Sequence, residues 1–198
     1  MKTSLIVGSM FSGKSTLLNK QIREVRRLDC FHVMVFKPFI DDRYDSKTIT
    51  THDQVKEKTN LLIKHPLDIW NFYQEAKPNI NKNKKTICFI DECQFISPVD
   101  TLVKVIRDLN KNKVDVVAAG LDMDKFGNPF GATPSLMAIA DEVNKLKTKC
   151  GNCGEDSYTQ VSLSENKEII DIGGSESYMP VCKNCYFEFM EKIERVAN

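Results

Sequence analysis

Apolar residues fall into short unbroken runs separated by periodic stretches. Residues 3–7 read Thr-Ser-Leu-Ile-Val and stop at a glycine. Residues 31–36 read Phe-His-Val-Met-Val-Phe and stop at Lys37-Pro38. Residues 86–90 stop at Asp91-Glu92, and residues 114–119 stop at Gly120. Runs this short, β-branched and nearly continuous suit the strands of a parallel sheet covered on both faces. Between them, apolar residues return every three or four positions. Leu18, Ile22, Val25 and Leu28 form one stripe, and Leu67, Ile69, Trp70, Tyr73 and Ala76 a looser one. The sharpest begins at Ser97, which is predicted to cap a helix. Pro98 then fits the first helical position and Asp100 the first turn, while Val99, Leu102, Val103, Ile106 and Leu109 share one face. Strands alternating with helices predict βαβ units and an α/β fold. Residues 40–60 are polar and aperiodic, and read as a mobile loop. The pattern changes after about residue 143, which predicts a division into residues 1–142 and 143–198.

Composition narrows the class. The chain has 198 residues, 41% hydrophobic and 28% charged, as in an ordinary folded protein with one sizeable core. Its net charge of +1 disfavours a partner held mainly by electrostatics, such as nucleic acid or an anionic membrane. That total hides a split. From Cys150 onward four Lys/Arg stand against nine Asp/Glu, a net −5, which leaves +6 for the rest. No run approaches the ~20 apolar residues of a membrane span. The apolar stretch Leu5-Ile6-Val7 is too short for a signal peptide. A reducing, cytoplasmic setting is therefore expected, in which the 7 cysteines read as metal ligands or buried residues rather than disulfides.

Candidate chemistry sits at the ends of the apolar runs. Gly8-Ser9-Met10-Phe11-Ser12-Gly13-Lys14-Ser15 fits G-x-x-x-x-G-K-[ST] at every fixed position, after a strand and before a helix. Backbone N–H groups of such a loop converge on phosphate oxygens, and the helix N-terminus adds a positive field. Lys14 is expected to reach the β- and γ-phosphates and Ser15 to ligate Mg²⁺, with Thr16 beside it in the nucleotide site. The bland alternative is a glycine-bearing turn with a chance lysine. Asp91 and Glu92 end a strand at the sheet edge where open α/β sheets bind ligands. Asp91 suits a hold on Mg²⁺ or its waters, and Glu92 suits a base. Otherwise they are two solvated carboxylates.

Cys150-Gly-Asn-Cys153 and Cys182-Lys-Asn-Cys185 form two C-x-x-C pairs. Together they offer a tetrahedral four-thiolate site for structural Zn²⁺, with no open position for catalysis. A redox role for either pair lacks a surrounding βαβ pattern. Cys30, Cys88 and Cys93 carry no assigned chemistry, although Cys93, beside the proposed base, is the one whose oxidation would matter. His32, His52 and His65 are scattered and read as structural.

Three classes can use a P-loop, a carboxylate base and a zinc site. A GTPase needs an N-K-x-D element, and no Asn-Lys here is followed by Asp two positions on. A nucleic-acid-stimulated ATPase could grip its polymer with the zinc segment, but a net −5 there repels phosphates. A small-molecule kinase that closes over an acceptor hydroxyl remains.

At this point the residues carry a resemblance. Gly8–Ser15 resembles the G-x-M-F-S-G-K-[ST] of the zinc-containing type II thymidine kinase family. Phe36-Lys37-Pro38 with Asp41-Asp42-Arg43-Tyr44 resembles its K-P…D-x-R-Y stretch, followed by Thr51-His52-Asp53. Ile90-Asp91-Glu92-Cys93-Gln94-Phe95 resembles I-D-E-[GA]-Q-F. Gly120-Leu121-Asp122 through Pro129-Phe130-Gly131 resembles G-L-D…P-F-G. Ile172-Gly173-Gly174 to Tyr178 resembles the lasso between the cysteine pairs. The likeness covers nearly the whole chain, in the family's order.

It implies a RecA-like P-loop sheet with helices on both faces and a small C-terminal zinc-binding lasso domain. It implies ATP-dependent phosphorylation of thymidine with Mg²⁺, and Glu92 as the base on the 5′-hydroxyl. Arg43 would act on the transferring phosphoryl group, with Asp41 and Gln94 in the nucleotide site. Met10, Phe95, Phe130, Thr159 and Tyr178 would line the nucleoside pocket, and the backbone of Ile169, Ile170, Asp171, Ile172 and Gly173 would read the base. Lys125 stands where the family usually has a pocket aromatic, and Phe126 follows it, so either could take that place. Cys93 replaces a small residue, and Lys183 an arginine. The resemblance also implies a homotetramer and feedback inhibition by dTTP.

Overall fold

A computed structural model describes residues 1–39, 48–50, 56–163 and 178–197. Six strands form the main sheet: β1 (Thr3–Val7), β2 (Phe31–Pro38), β5 (Leu61–Ile63), β6 (Lys85–Ile90), β7 (Val114–Gly120) and β8 (Glu142–Lys145). Between β2 and β5 lie β3 (Thr48–Thr50) and β4 (Lys56–Lys58). The sheet order is β5-β2-β6-β7-β1-β8, and every pairing is parallel. One strand, β7, separates β1 from β6, so the phosphate loop and the Asp91 strand stand one strand apart in the RecA-like manner. The last strand, β8, spans the expected division at residue 142 and closes the sheet edge beside β1.

Parallel strands need crossovers, and four helices supply all but the one from β2 to β5, which carries β3 and β4. The helices are α1 (Lys14–Arg27), α2 (Leu67–Ala76), α3 (Val99–Lys111) and α4 (Thr133–Ile139). Alternation along each strand sends neighbouring residues to opposite faces. Ile6, Val35, Phe89 and Ala119 meet Leu18 and Ile22 of α1 on one face. Leu5, Val7, Met34, Phe36, Cys88, Ile90, Val116 and Ala118 meet Ile69, Leu102, Ile106, Leu109 and Leu136 of the other three helices on the opposite face. Burying each such aliphatic side chain contributes about 1.5–3 kcal/mol. This double cover is why the strands read as unbroken apolar runs.

Two expectations change. Helix α3 starts one residue later than the sequence signals. Pro98 is extended at φ −72° and ψ 142° and itself takes the N-cap place, with Leu102 N donating to its carbonyl at 3.1 Å. Ser97 therefore stands one position too early to cap. Within the expected loop 40–60, β3 and β4 pair as an antiparallel ribbon. Arg26 of α1 fastens it, donating to the Glu57 carboxylate at 2.6 Å and the Lys58 carbonyl at 2.9 Å.

The C-terminal part holds β9 (Thr148–Lys149), β10 (Asp156–Ser157), β11 (Thr159–Ser162), β12 (Tyr178–Val181) and α5 (Lys183–Ala197). Strands β11 and β12 pair antiparallel, with Thr159 opposite Val181 and Ser162 opposite Tyr178. Cys150, Val161, Val181 and Cys185 form its small core. No helix among the described residues is long and apolar enough to cross a membrane.

Candidate active site

The turn from β1 into α1 builds the phosphate cradle. Gly13 is left-handed at φ 85° and opens the helix, a conformation that glycine takes at no steric cost. Lys14 is buried, and its Nζ donates to the Ser9 carbonyl at 2.7 Å across the loop. Burial pulls its ammonium below the usual lysine range, while the charges of Glu92, Asp91 and Asp122 pull it back. The Ser9 and Ser12 hydroxyl oxygens are buried without a hydrogen-bond partner among the described residues. Orphaned polar atoms beside a lysine, at a helix N-terminus, fit a phosphate.

Across β7, the end of β6 delivers the carboxylates. Asp91 is buried at 4% exposure, and its N–H donates to the Phe36 carbonyl at 3.0 Å. Burial, then the neighbouring Glu92 charge, push its carboxyl up to about 7 against the pull of Lys37 and Lys14. Glu92 is left-handed at φ 51°, a conformation that costs a non-glycine residue roughly 1–3 kcal/mol and clusters at functional sites. Its carboxylate accepts from Gln94 Nε2 at 2.5 Å. The Gln94 Oε1 accepts in turn from Leu121 N at 3.0 Å. Gly131 passes so close that an added Cβ would lie 1.9 Å from the Gln94 carbonyl oxygen, so no larger residue fits there.

The segment after β7 completes the rim. Asp122 is buried, and its Oδ2 pairs with Lys145 Nζ at 2.6 Å, while Oδ1 is buried without a partner among the described residues. Phe95 and Phe130 meet edge to face, with centroids 5.6 Å apart. Of the two pocket alternatives, Lys125 is the buried one at 5% exposure, and Phe126 is 43% exposed. The Lys125 Nζ lies 5.4 Å from the centroid of the Phe126 ring. Tyr186 of α5 donates to the Phe126 carbonyl at 2.6 Å.

On the C-terminal part, Tyr178 is buried, and the Thr159 hydroxyl donates to the Val181 carbonyl. Met10 N donates to Gln160 Oε1 at 2.5 Å. Asp41, Arg43, Ile169, Ile170, Asp171, Ile172 and Gly173 lie outside the described residues. The sulfurs of Cys150, Cys153, Cys182 and Cys185 all lie within 4.8 Å of one another. A tetrahedron of thiolates about 2.3 Å from Zn²⁺ needs sulfurs about 3.8 Å apart, so the four fit that ion. Gly154 N donates to the Cys150 carbonyl at 2.9 Å, which closes the first knuckle.

Cys93 follows Glu92 directly in the chain. It is fully buried, and burial pushes its thiol up to about 12, so the nucleophilic thiolate is scarce. Sequence reasoning assigned no role to Asp122 or Gln160. Asp122 carried a usable signal, since it is a carboxylate two residues past a strand end, as Asp91 is one past. Gln160 carried none.

A phosphate-binding loop facing two strand-end carboxylates defines a P-loop phosphoryl-transfer protein, one that also carries four clustered cysteines that could hold a metal ion. The chain belongs to the thymidine kinase family, whose model matches residues 1–186. It is 36% identical over 192 residues to a thymidine kinase of Pseudothermotoga lettingae, covering 96% of this chain and 97% of that one. It is 35% identical over 186 residues to a thymidine kinase of Bacteroides thetaiotaomicron, covering 93% and 86%. Among solved structures it is similar to the genome packaging NTPase B204 from Sulfolobus turreted icosahedral virus 2, at 14% identity and a TM-score of 0.47 over 72% of each chain. That likeness adds nothing to the fold, which rests on the sheet order.

Proposed function

We propose that this chain transfers the γ-phosphoryl group of ATP to the 5′-hydroxyl of thymidine, giving dTMP. Family membership over residues 1–186 carries the substrate, and the facing of Lys14 and Glu92 supports the chemistry. The P-loop N–H groups and Lys14 hold the phosphates. Ser15 and Asp91 would hold Mg²⁺, which neutralises phosphate charge when bound. Glu92, its carboxylate held by Gln94, takes the proton of the 5′-hydroxyl as that oxygen attacks in line. Asp41 and Arg43 serve the phosphates and the transferring group. The pair Phe95 and Phe130, with Met10, Lys125, Phe126, Thr159 and Tyr178, encloses the nucleoside, and Ile169–Gly173 cover it.

The four cysteines would hold Zn²⁺, which supplies only structure. They pin both ends of the covering segment, so that the C-terminal part acts as a lid on the nucleotide-binding part. A homotetramer, feedback inhibition by dTTP and a cytoplasmic location complete this reading, and each rests on the resemblance. The nucleic-acid-stimulated ATPase is not favoured.

The deciding assay measures ATP consumption with thymidine, with DNA and with neither. Thymidine alone is expected to stimulate it and to yield dTMP, and Lys14→Ala is expected to lose phosphate binding. Stimulation by DNA but not by thymidine would overturn this reading.

A further inference from the structure

The loop that is to receive phosphate is held from outside itself. Met10 lies inside the cradle, and its backbone N–H donates to the side-chain oxygen of Gln160, 150 residues along the chain, at 2.5 Å. Gln160 is 4% exposed and sits on β11, the strand opposite β12. Its neighbour Val161, with Val181 of β12, packs against Cys150 and Cys185 in a small core. Ser157 adds a hydroxyl bond to the Val181 carbonyl at 2.7 Å. The hairpin carrying Gln160 is thus built onto the cysteine site, while its Gln160 amide reaches the phosphate loop.

The residue after Met10 shows why such a hold is useful. Phe11 is left-handed at φ 61° without being glycine, and its side chain is 36% exposed. Strained backbone of this kind persists only where its surroundings over-determine it. A loop whose binding-competent shape is only partly populated binds its ligand more weakly in proportion to that fraction.

We infer that Gln160 is a positioning residue: its side-chain oxygen fixes the phosphate-binding loop through Met10 and makes that loop's shape depend on the metal-anchored hairpin. The inference rests on the reading of Gly8–Ser15 as a phosphate cradle. It adds that the hairpin packed on the four cysteines also sets the affinity for the phosphate donor.

Binding of a non-hydrolysable ATP analogue, followed by calorimetry, tests it without turnover. Gln160→Leu removes the acceptor at similar volume. It is expected to weaken analogue binding about three- to tenfold, the range of one hydrogen bond. KM for ATP should rise by the same factor, and kcat should change by less. Chelating the metal should weaken analogue binding in the unsubstituted protein by a like factor, and add nothing further in Gln160→Leu. Equal binding by both proteins, or equal weakening of both by chelation, overturns the inference.

Hydrogen exchange on the unsubstituted protein reads the same contact if Gln160→Leu does not fold. The Met10 amide should be protected with metal and lose that protection on chelation. An unchanged exchange rate overturns the coupling. The cradle reading fails separately, in that the unsubstituted protein and Lys14→Ala would then bind the analogue alike.

Discussion

Gln94 donates through Nε2 to the Glu92 carboxylate at 2.5 Å and accepts through Oε1 from Leu121 N at 3.0 Å. One buried amide therefore ties the proposed base to the loop that follows β7. The amide fixes one carboxylate oxygen and leaves the other to meet the acceptor. Gln94→Leu breaks both bonds and strands the Leu121 N–H in the interior, which costs roughly 1–3 kcal/mol of stability. Urea unfolding should read that loss. Turnover should fall by about tenfold or more as the carboxylate loses its orientation. Normal turnover in a folded Gln94→Leu protein would remove the positioning role.

Replacing the proposed base itself should be more severe. Glu92→Gln keeps the volume and loses the proton acceptor. Its kcat should fall by about 10²–10⁴, while binding of an ATP analogue is retained. Single-turnover kinetics at saturating thymidine and ATP separate the two effects. Near-normal turnover would show that Glu92 is not the base.

The sheet was legible because burial on both faces leaves nothing polar to interrupt Leu5–Val7, Met34–Phe36 or Cys88–Ile90. Asp91 and Glu92 were legible for the same reason, as charges placed where an apolar run stops. The ribbon of β3 and β4 was not, since strands of three residues have no period to read, and an ion pair from Arg26 to Glu57 helps hold them. The polar edge strand β8 was hidden likewise. Lys125 was ambiguous because a lysine gives no local sign of its burial. Contacts such as Gln160 with Met10, or Asp122 with Lys145, exist only once distant segments meet, so no local spacing announces them.

Removing metal from the four-thiolate site should act in graded fashion. The hairpin core is small, with Val161 and Val181 its buried aliphatic members, so its fold is expected to depend on an ion held by the four cysteines. Chelation should abolish thymidine binding and weaken ATP-analogue binding only several-fold. The main sheet, with its own two cores, should keep its helical circular dichroism. Metal analysis should find one zinc ion per chain, and retention of thymidine binding by a zinc-free protein would sink the lid role.

Thiol chemistry gives a count. Cys88 and Cys93 are fully buried, and burial raises both thiols, Cys93 to about 12. Cys30 is exposed. With metal bound, an aromatic disulfide reagent should therefore modify one thiol quickly, Cys30, and chelation should release four more. Cys30→Ser should abolish the fast phase. Rapid labelling of Cys93 in the metal-bound protein would contradict its burial.

The Asp91 carboxyl gives the pH dependence a definite sign. Its folded value is pushed up to about 7, against an unfolded value near 3.9. A carboxyl raised on folding binds its proton more tightly in the native state. Its contribution to stability is therefore complete below about pH 3.9 and is lost as pH rises through about 7. In the ligand-free protein, this group should make stability decline between those values and level off above them. Asp91→Asn removes the titration and should flatten that decline, so that the variant is the more stable of the two near pH ~8. The same substitution should abolish Mg²⁺-dependent turnover, since the amide carries no charge for the cation. Urea unfolding across that pH range, without nucleotide or magnesium, measures the difference. If the two proteins lose stability in parallel as pH rises, the buried proton is not on Asp91.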